Sequence, residues 1–393
     1  MSQKIKILRI LNRFNLGGPI YNASYLSKYL EDDFETMLIG GQKLEEEESA
    51  LFIPESLGVQ THIIPEMTRS VGILSDLKAY RHISNIIESF KPDIVHTHAS
   101  KAGALGRIAA SRAGVKHIVH TFHGHVFEHY FGSLKTSLVK STERYLAKKS
   151  QAIIAISETQ KIDLVERFKI AESEKVHVIN LGFDLERFHE NNEEKRKLFR
   201  QKYVLKEDDI AIGIIGRLVP IKNHDLFIQA IAELKKEHSH VRAFIMGDGN
   251  LKMSLKEKAH KLGLTTESEN ADVVFTSWIK QVDQVLPGLD IVALTSFNEG
   301  TPVSLIEAQA AKKPVISSDV GGVKDVIGKD CGLLYASNDL TALKNCMEQL
   351  ISNSKLRDEM GQKGYEWAFS KFTAQRLAND IKKLYIELLN QEG

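Results

Sequence analysis

The sequence predicts an α/β protein of two Rossmann-like, doubly wound parallel-sheet domains facing a cleft. Three observations lead there: a length of 393 residues, short strand-like runs apolar on both faces, and longer helical patterns filling the gaps between them. A chain of that length exceeds what one hydrophobic core usually serves. Strands apolar on both sides belong to parallel sheets covered by helices on each face.

The strand-like runs are 5–11, 36–39, 94–97, 118–121 and 153–156 in the first half. In the second half they are 210–215, 243–246, 273–275, 291–294 and 314–317, with helical periodicity in segments such as 84–90 and 226–236. The pattern breaks at the charged run Glu-Asn-Asn-Glu-Glu-Lys-Arg-Lys of 190–197, which reads as a solvated helix face beside a linker. The first domain is thus expected over 1–190 and the second over 191–372, with a helix in 373–393 folding back on the first.

Hydrophobic residues make up 42% and charged residues 26%, as in soluble globular proteins. With 52 basic and 51 acidic residues the net charge is +1, so no global field attracts a polyanion and nucleic acid is excluded as a partner class. An anionic ligand must be gripped locally. Cys331 and Cys346 form no Cys-x-x-Cys pair, which removes a metal or redox centre built on them. The N-terminus enters a strand pattern without a signal-peptide core, and no run approaches the ~20 apolar residues of a bilayer span. A cytoplasmic protein is expected, with the inner face of the cell membrane as a surface it could touch.

Ligands of open α/β sheets collect at the carboxyl ends of strands. Gly216-Arg217-Leu218-Val219-Pro220-Ile221-Lys222-Asn223 follows the run 210–215 directly and sets two cations, Arg217 and Lys222, on one loop. A guanidinium grips phosphate oxygens bidentately and an ammonium adds a point charge, a combination suited to a diphosphate. The segment Ser296-Phe-Asn-Glu299-Gly300-Thr301-Pro302-Val303-Ser304-Leu-Ile-Glu307-Ala308 carries more. Thr301 followed by Pro302 predicts an N-cap and a first helical residue, leaving free amides around Val303 and Ser304 as an anion site. Glu299 precedes that helix and Glu307 lies within it, so the carboxylates are expected roughly 10 Å apart at ~1.5 Å per residue. Retaining glycosidases hold their two carboxylates closer, at ~5 Å. The wider spacing favours two ends of one ligand, a hexose and a ribose. Met246-Gly247-Asp248-Gly249 and Asp319-Val320-Gly321-Gly322 are further glycine turns at strand ends.

In the first half, Asn15-Leu16-Gly17-Gly18-Pro19 follows the first strand and opens a helix, where glycines let amides approach an anion. Alternation along 94–98 puts His96 and His98 on one face, and His98 with Lys101 either lines an acceptor cleft or serves the structure. The stretch His117-Ile-Val-His120-Thr-Phe-His123-Gly-His125, with His129 beyond it, is dense in imidazole but lacks a carboxylate or cysteine at zinc-ligand spacing. Aromatics in 127–131 precede Lys135, Lys140, Arg144, Lys148 and Lys149, interleaved with Leu134, Leu138 and Leu146. That is either a basic amphipathic helix for an anionic lipid surface or a solvated helix face.

Gly216-Arg217-Leu218…Lys222, Met246-Gly247-Asp248-Gly249 and Glu299-Gly300-x-Pro302…Glu307-Ala308, with Asn180-x-Gly182-x-Asp184-x-x-Arg187-Phe188 between the halves, resemble glycosyltransferase family 4 over nearly the whole chain. The resemblance implies the GT-B fold and retaining, metal-independent transfer of a hexose or N-acetylhexosamine. The donor would be a nucleotide diphosphate sugar, most often a UDP-sugar in such families. The acceptor would be a hydroxyl of a sugar or lipid-linked saccharide in polysaccharide, lipopolysaccharide or glycolipid synthesis. By the same resemblance, Arg217 and Lys222 neutralise the departing diphosphate, and Gly300, Thr301, Pro302 and Val303 surround the donor at the helix start. Glu299 positions the donor sugar, Glu307 holds the ribose, backbone near Ile279 reads the base, and Gly17 and Gly18 meet the diphosphate. Thr121-Phe122-His123-Gly124 looks like the family's Thr-x-His-Gly loop, whose His contacts the donor sugar near the reacting carbon. No Asp-x-Asp occurs, so no metal or other cofactor is expected. Two positions depart from the pattern: Lys312 stands where Gly is usual and Asp325 where Glu is usual. The alternatives are a GT-B phosphorylase or nucleotide-sugar epimerase, and a non-catalytic sugar-nucleotide-binding scaffold.

Overall fold

The computed structural model describes residues 4–15, 17–43, 49–68, 72–124 and 133–391. Leu16, the acidic run 45–48, His125, His129 and the aromatics of 127–131 lie outside the described residues, as do the side chains of Leu134 and Lys135. The chain forms two compact units, Met1–Phe183 with Phe372–Gly393, and Asp184–Lys371.

The first unit is built on a seven-stranded sheet of β1 (Ile5–Arg13), β2 (Phe34–Gly41), β3 (Thr61–Ile64), β4 (Ile94–His98), β5 (His117–Phe122), β6 (Ala152–Ala155) and β7 (Val176–Val178). All neighbours are parallel, in the order β3-β2-β1-β4-β5-β6-β7. Alternation along β1 sends Ile7 to one face and Leu8 and Ile10 to the other. Leu8 and Ile10 join Val95, Ile118 and the helices Ile73–Phe90 and Ser100–Arg112. Ile7 meets Val119, Ile154 and the helix Ala374–Asn390. That last helix repeats its apolar residues at Leu377, Ala378, Ile381, Leu384, Tyr385 and Leu388, one stripe at helical period. Thr373 caps it, its side chain accepting from the amide of Arg376 at 3.2 Å.

The second unit carries β8 (Ile210–Ile215), β9 (Val241–Met246), β10 (Val273–Ser277), β11 (Ile291–Leu294), β12 (Val315–Ser318) and β13 (Gly332–Tyr335). These form a parallel six-stranded sheet in the order β10-β9-β8-β11-β12-β13. Its core joins Ile212, Ile214, Ala243, Ile245 and Ile291 to Phe227 and Ile231 of the helix His224–Glu237.

The division between units falls at Phe183 and Asp184, earlier than the expected 190/191, because the segment after Phe183 packs on the second unit. The charged run there is not a merely solvated face. Lys195 is buried, pairs with Asp283 at 3.2 Å and donates to the Arg187 carbonyl at 2.6 Å, while Arg196 grips Asp290 at 2.7 Å. Each sheet reverses its strand order once, between β1 and β4 and between β8 and β11. Loops leaving those strands border the crevice where doubly wound sheets hold ligands.

Candidate functional site

In the second unit the reversal point brings together two segments distant in sequence. Lys222, on the loop after β8, places Nζ 2.5 Å from Oε1 of Glu299, on the loop after β11. Ser296 donates its hydroxyl to the same oxygen at 2.6 Å. Backbone ties set these side chains: Thr295 donates Oγ1 to the carbonyls of Lys222 at 3.0 Å and Asn223 at 2.9 Å, and Phe297 N donates to Ile221 O at 2.8 Å. Gly322 N donates to Glu299 O at 3.0 Å, locking the third loop. Gly321 has φ +51° and a Cβ there would stand 2.0 Å from Glu299 O, so only glycine fits this approach. Gly247 plays the same part beside the first loop, where a Cβ would meet Gly216 O at 1.9 Å. Arg217 leaves that first loop exposed, and its side chain makes no hydrogen bond or ion pair among the described residues.

The helix after Glu299 begins one residue later than expected. It spans Val303–Ala310 with Pro302 at the N-cap position, ψ 90°, and no side-chain cap. Thr301 is therefore not the N-cap, because the extended ψ of Pro302 delays helical dihedrals to Val303. The amides of Val303 and Ser304 still open the helix without a side chain over them. Gly300 has open space beside it, with nothing within 4 Å of a Cβ built there. Glu307, half-buried on this helix, is pushed up to about 7 by desolvation, against the pull of Arg187 and with the help of Asp283. Ile279 lies half-buried after β10, beside the exposed Trp278.

Of the two departures from the family pattern, the structure explains Lys312 and not Asp325. Lys312 adopts φ +57° just past the helix end. Its amide reaches Gln309 O at 2.9 Å and that of Lys313 reaches Ala308 O at 2.9 Å, the Schellman pattern that usually takes glycine. For Asp325 the structure records a buried Oδ2 with no hydrogen-bond partner.

In the first unit Gly17 is the N-cap of the helix Gly18–Tyr29, again without a side-chain cap. A Cβ at Gly18 would meet nothing within 4 Å, so no internal packing demands glycine there. His123 follows β5, and its Nε2 meets Nδ1 of His98, at the end of β4, at 2.9 Å. Burial pushes His123 down to about 3. His98 is fully buried, so it sits inside the unit and lines no surface. Lys101 is committed to Asp76 at 2.5 Å. His120 is also buried and bonded to Thr97 Oγ1 at 2.8 Å.

Sequence reasoning missed Ser296, an ordinary residue type whose role depends on a loop fold, and His224, buried beside Lys222 and pushed down to about 4 by burial and that cation. On the helix Ser133–Lys149, several basic residues are engaged internally. Lys140 lies over Phe168 at 4.5 Å, Arg144 donates to the carbonyls of Phe168 and Lys169 at 2.7 and 2.9 Å, and Lys149 reaches Ser111 at 3.3 Å. Leu138 and Lys148 remain exposed. Among the described residues no helix is long and apolar enough to cross a membrane. Glu237, His238 and Glu348 gather on the second unit, where Lys344 already holds both carboxylates at 3.0 and 3.3 Å.

Residues 195–367 match the family model described as Glycosyl transferases group 1, and residues 23–187 that of Glycosyltransferase Family 4. The chain is 28% identical over 337 residues to a UDP-Gal:alpha-D-GlcNAc-diphosphoundecaprenol alpha-1,3-galactosyltransferase of Escherichia coli, covering 84% of each. It is 27% identical to the capsular polysaccharide biosynthesis glycosyltransferase CapM of Staphylococcus aureus, covering 84% of this chain and 86% of that one. Its fold matches that of Anabaena HepE, solved in complex with UDP, with a TM-score of 0.80, 19% identity and coverage of 98% and 100%. The two parallel sheets are those of the GT-B fold. The matched models account for both units, and the chain belongs to the family 4, group 1 glycosyltransferases.

Proposed function

We propose that this transferase moves a hexose or N-acetylhexosamine from a UDP-sugar to an acceptor hydroxyl on a lipid-linked saccharide, with retained anomeric configuration and without a metal. The observation that carries the reading is the Lys222–Glu299 pair beside an uncapped helix start, at the reversal point of the second sheet. Here a cation, free amides and an acid converge on one place.

In the reaction the bond from the anomeric carbon to the diphosphate oxygen breaks, and its electron pair leaves with the diphosphate. The acceptor oxygen bonds to that carbon on the same face, and its proton passes to the departing phosphate oxygen. Negative charge grows on the diphosphate, so preplaced donors supply the main stabilisation. Lys222 would exchange Glu299 for a phosphate oxygen, Arg217 would add a bidentate grip, and the amides of Val303 and Ser304 would complete the cradle. Glu299, released from Lys222, would accept from a donor-sugar hydroxyl. Glu307 would accept from the ribose, and backbone near Ile279 would meet the base. In the first unit the open space at Gly18 suits a phosphate approaching the helix start, and His123 would contact the donor sugar.

The Escherichia coli relative, by its name, uses UDP-Gal and a diphosphoundecaprenol-linked acceptor, which supports this donor and acceptor class. Contact with an anionic membrane would bring the enzyme to such an acceptor, with Leu138 and Lys148 on the exposed side of their helix. Thermal-shift screening against UDP, GDP and ADP sugars tests the donor: stabilisation by UDP-sugars in the presence of EDTA is expected. Stabilisation by GDP- or ADP-sugars alone, or a requirement for a divalent ion, would overturn it. Cosedimentation with vesicles of phosphatidylglycerol tests the membrane contact.

A further inference from the structure

Behind His123 the first unit holds a line of polar side chains. Arg9 on β1 is fully buried and pairs with no carboxylate among the described residues. Its Nη1 donates to Nδ1 of His96 at 3.1 Å and to the hydroxyl of Tyr385 at 3.3 Å, and that hydroxyl lies 2.6 Å from the same Nδ1. A guanidinium only donates. Nδ1 of His96 is therefore the acceptor, its proton sits on Nε2, and Nε2 donates to Thr121 Oγ1 at 2.7 Å. The His96 and His98 rings stack with centroids 4.4 Å apart, and His98 Nδ1 meets His123 Nε2 at 2.9 Å.

Burial, reinforced by the neighbouring imidazoles and Arg9, keeps His98 neutral, and burial alone keeps His123 neutral, so one ring donates and the other accepts. If His123 donated, His98 would carry an N–H on Nε2, an atom with no partner in a fully buried place. If His98 donates, its orphan is only a lone pair. The spare hydrogen then sits on Nδ1 of His123, itself a buried atom without a partner, but in a half-buried residue next to the exposed Gly124. Either arrangement strands one buried N–H, which is costly, but only the one on His123 belongs to a residue with exposed surface, where a ligand oxygen can satisfy it.

We infer that His98 is the positioning residue for His123: it donates from Nδ1 to Nε2 of His123 and leaves Nδ1 of His123 as a hydrogen-bond donor. Arg9, Tyr385 and His96 hold His98 from behind. The inference rests on the reading of His123 as a donor-sugar contact, where an N–H suits a sugar hydroxyl oxygen. It extends the functional set to the helix Ala374–Asn390, which supplies Tyr385.

The test is nitrogen NMR of the full chain labelled with ¹⁵N-histidine, without ligand, each ring assigned by the signals lost in single variants. The coupling pattern of a neutral imidazole shows which nitrogen is protonated. His98 and His123 are expected protonated on Nδ1 and His96 on Nε2. His98→Phe should shift His123 to a mixture of tautomers, and His98→Gln, whose amide donates, should restore the single Nδ1–H form. Protonation of His123 on Nε2 in the wild type overturns the inference, as does a His123 pattern untouched by His98→Phe in a variant with native circular dichroism. Should His98→Phe fail to fold, the wild-type and His98→Gln spectra decide. UDP-glucose affinity of His123→Ala, measured calorimetrically, separately tests the sugar contact: an unchanged value sinks that reading and leaves the tautomer result standing.

Discussion

Nζ of Lys222 and Oε1 of Glu299 lie 2.5 Å apart although their residues belong to loops on different strands of the second sheet. Each is the partner that keeps the other's charge balanced. Under the proposed function, a diphosphate entering the site would compete with Glu299 for the ammonium, so that binding and the release of the acid would be coupled.

Lys222→Ala removes the cation that the proposed function assigns to the leaving group. Transfer is expected to fall by about 10²-fold, the cost of losing one preplaced donor to a developing oxyanion. Steady-state UDP release with the best donor from the thermal-shift screen measures it. A change under threefold would show that the diphosphate is held elsewhere.

Gly321→Ala tests the backbone support of Glu299. The added methyl would lie 2.0 Å from Glu299 O at a φ of +51°, so the loop must move. Donor KM should rise while the circular dichroism of the fold persists. Native kinetics would mean that the loop position is immaterial.

If Glu307 holds the ribose as proposed, donor affinity is expected to depend on pH. Its carboxyl is raised to about 7, so below that pH it is mostly protonated and a poor acceptor for a ribose hydroxyl. UDP affinity should therefore increase between pH 6 and 8, and Glu307→Gln should flatten the profile. Isothermal titration of UDP at the two values checks the sign.

Acid should unfold the first unit early. His96, His98, His120 and His123 all stay neutral when folded, their pKa values lowered chiefly by burial, while the unfolded chain takes up protons below about 6.5. Stability is fully present above that pH and is lost as pH falls toward the folded values. Each group contributes a slope of up to about 1.4 kcal/mol per pH unit. Melting followed at pH 7.5 and 5.5 should show a clear drop in the midpoint; equal midpoints would refute the account.

The interior strands of both sheets are legible in the sequence because they are apolar on both faces, as β8 and β11 are. The strands that escape notice, β3, β7 and β13, all lie at sheet edges, where Thr61, His62 and His177 break the apolar signal. Lys222 and Glu299 are readable as a set since loops after parallel strands converge. The line from Arg9 through Tyr385 to His123 is not, because its members come from β1, β4, β5 and the Ala374–Asn390 helix. Arg9 also sits within an apolar run and gives no local sign of its partners. Thr301 and Pro302 suggested a capped helix, and the dihedral of Pro302 decided otherwise.

Phe183 N donates to Phe372 O at 2.8 Å, and Ala374 N to Phe183 O at 2.9 Å, so the backbone departs from the first unit and rejoins it at one spot. In topological terms the stretch 184–371 is an insert within another fold. On the ribosome, the insert emerges whole before the helix that seals its host. Until Leu377, Ile381 and Tyr385 are synthesised, the face of the host sheet bearing Ile7 and Ile154 has only Leu26 and Leu30 to cover it, and the unit begun first is the one that waits.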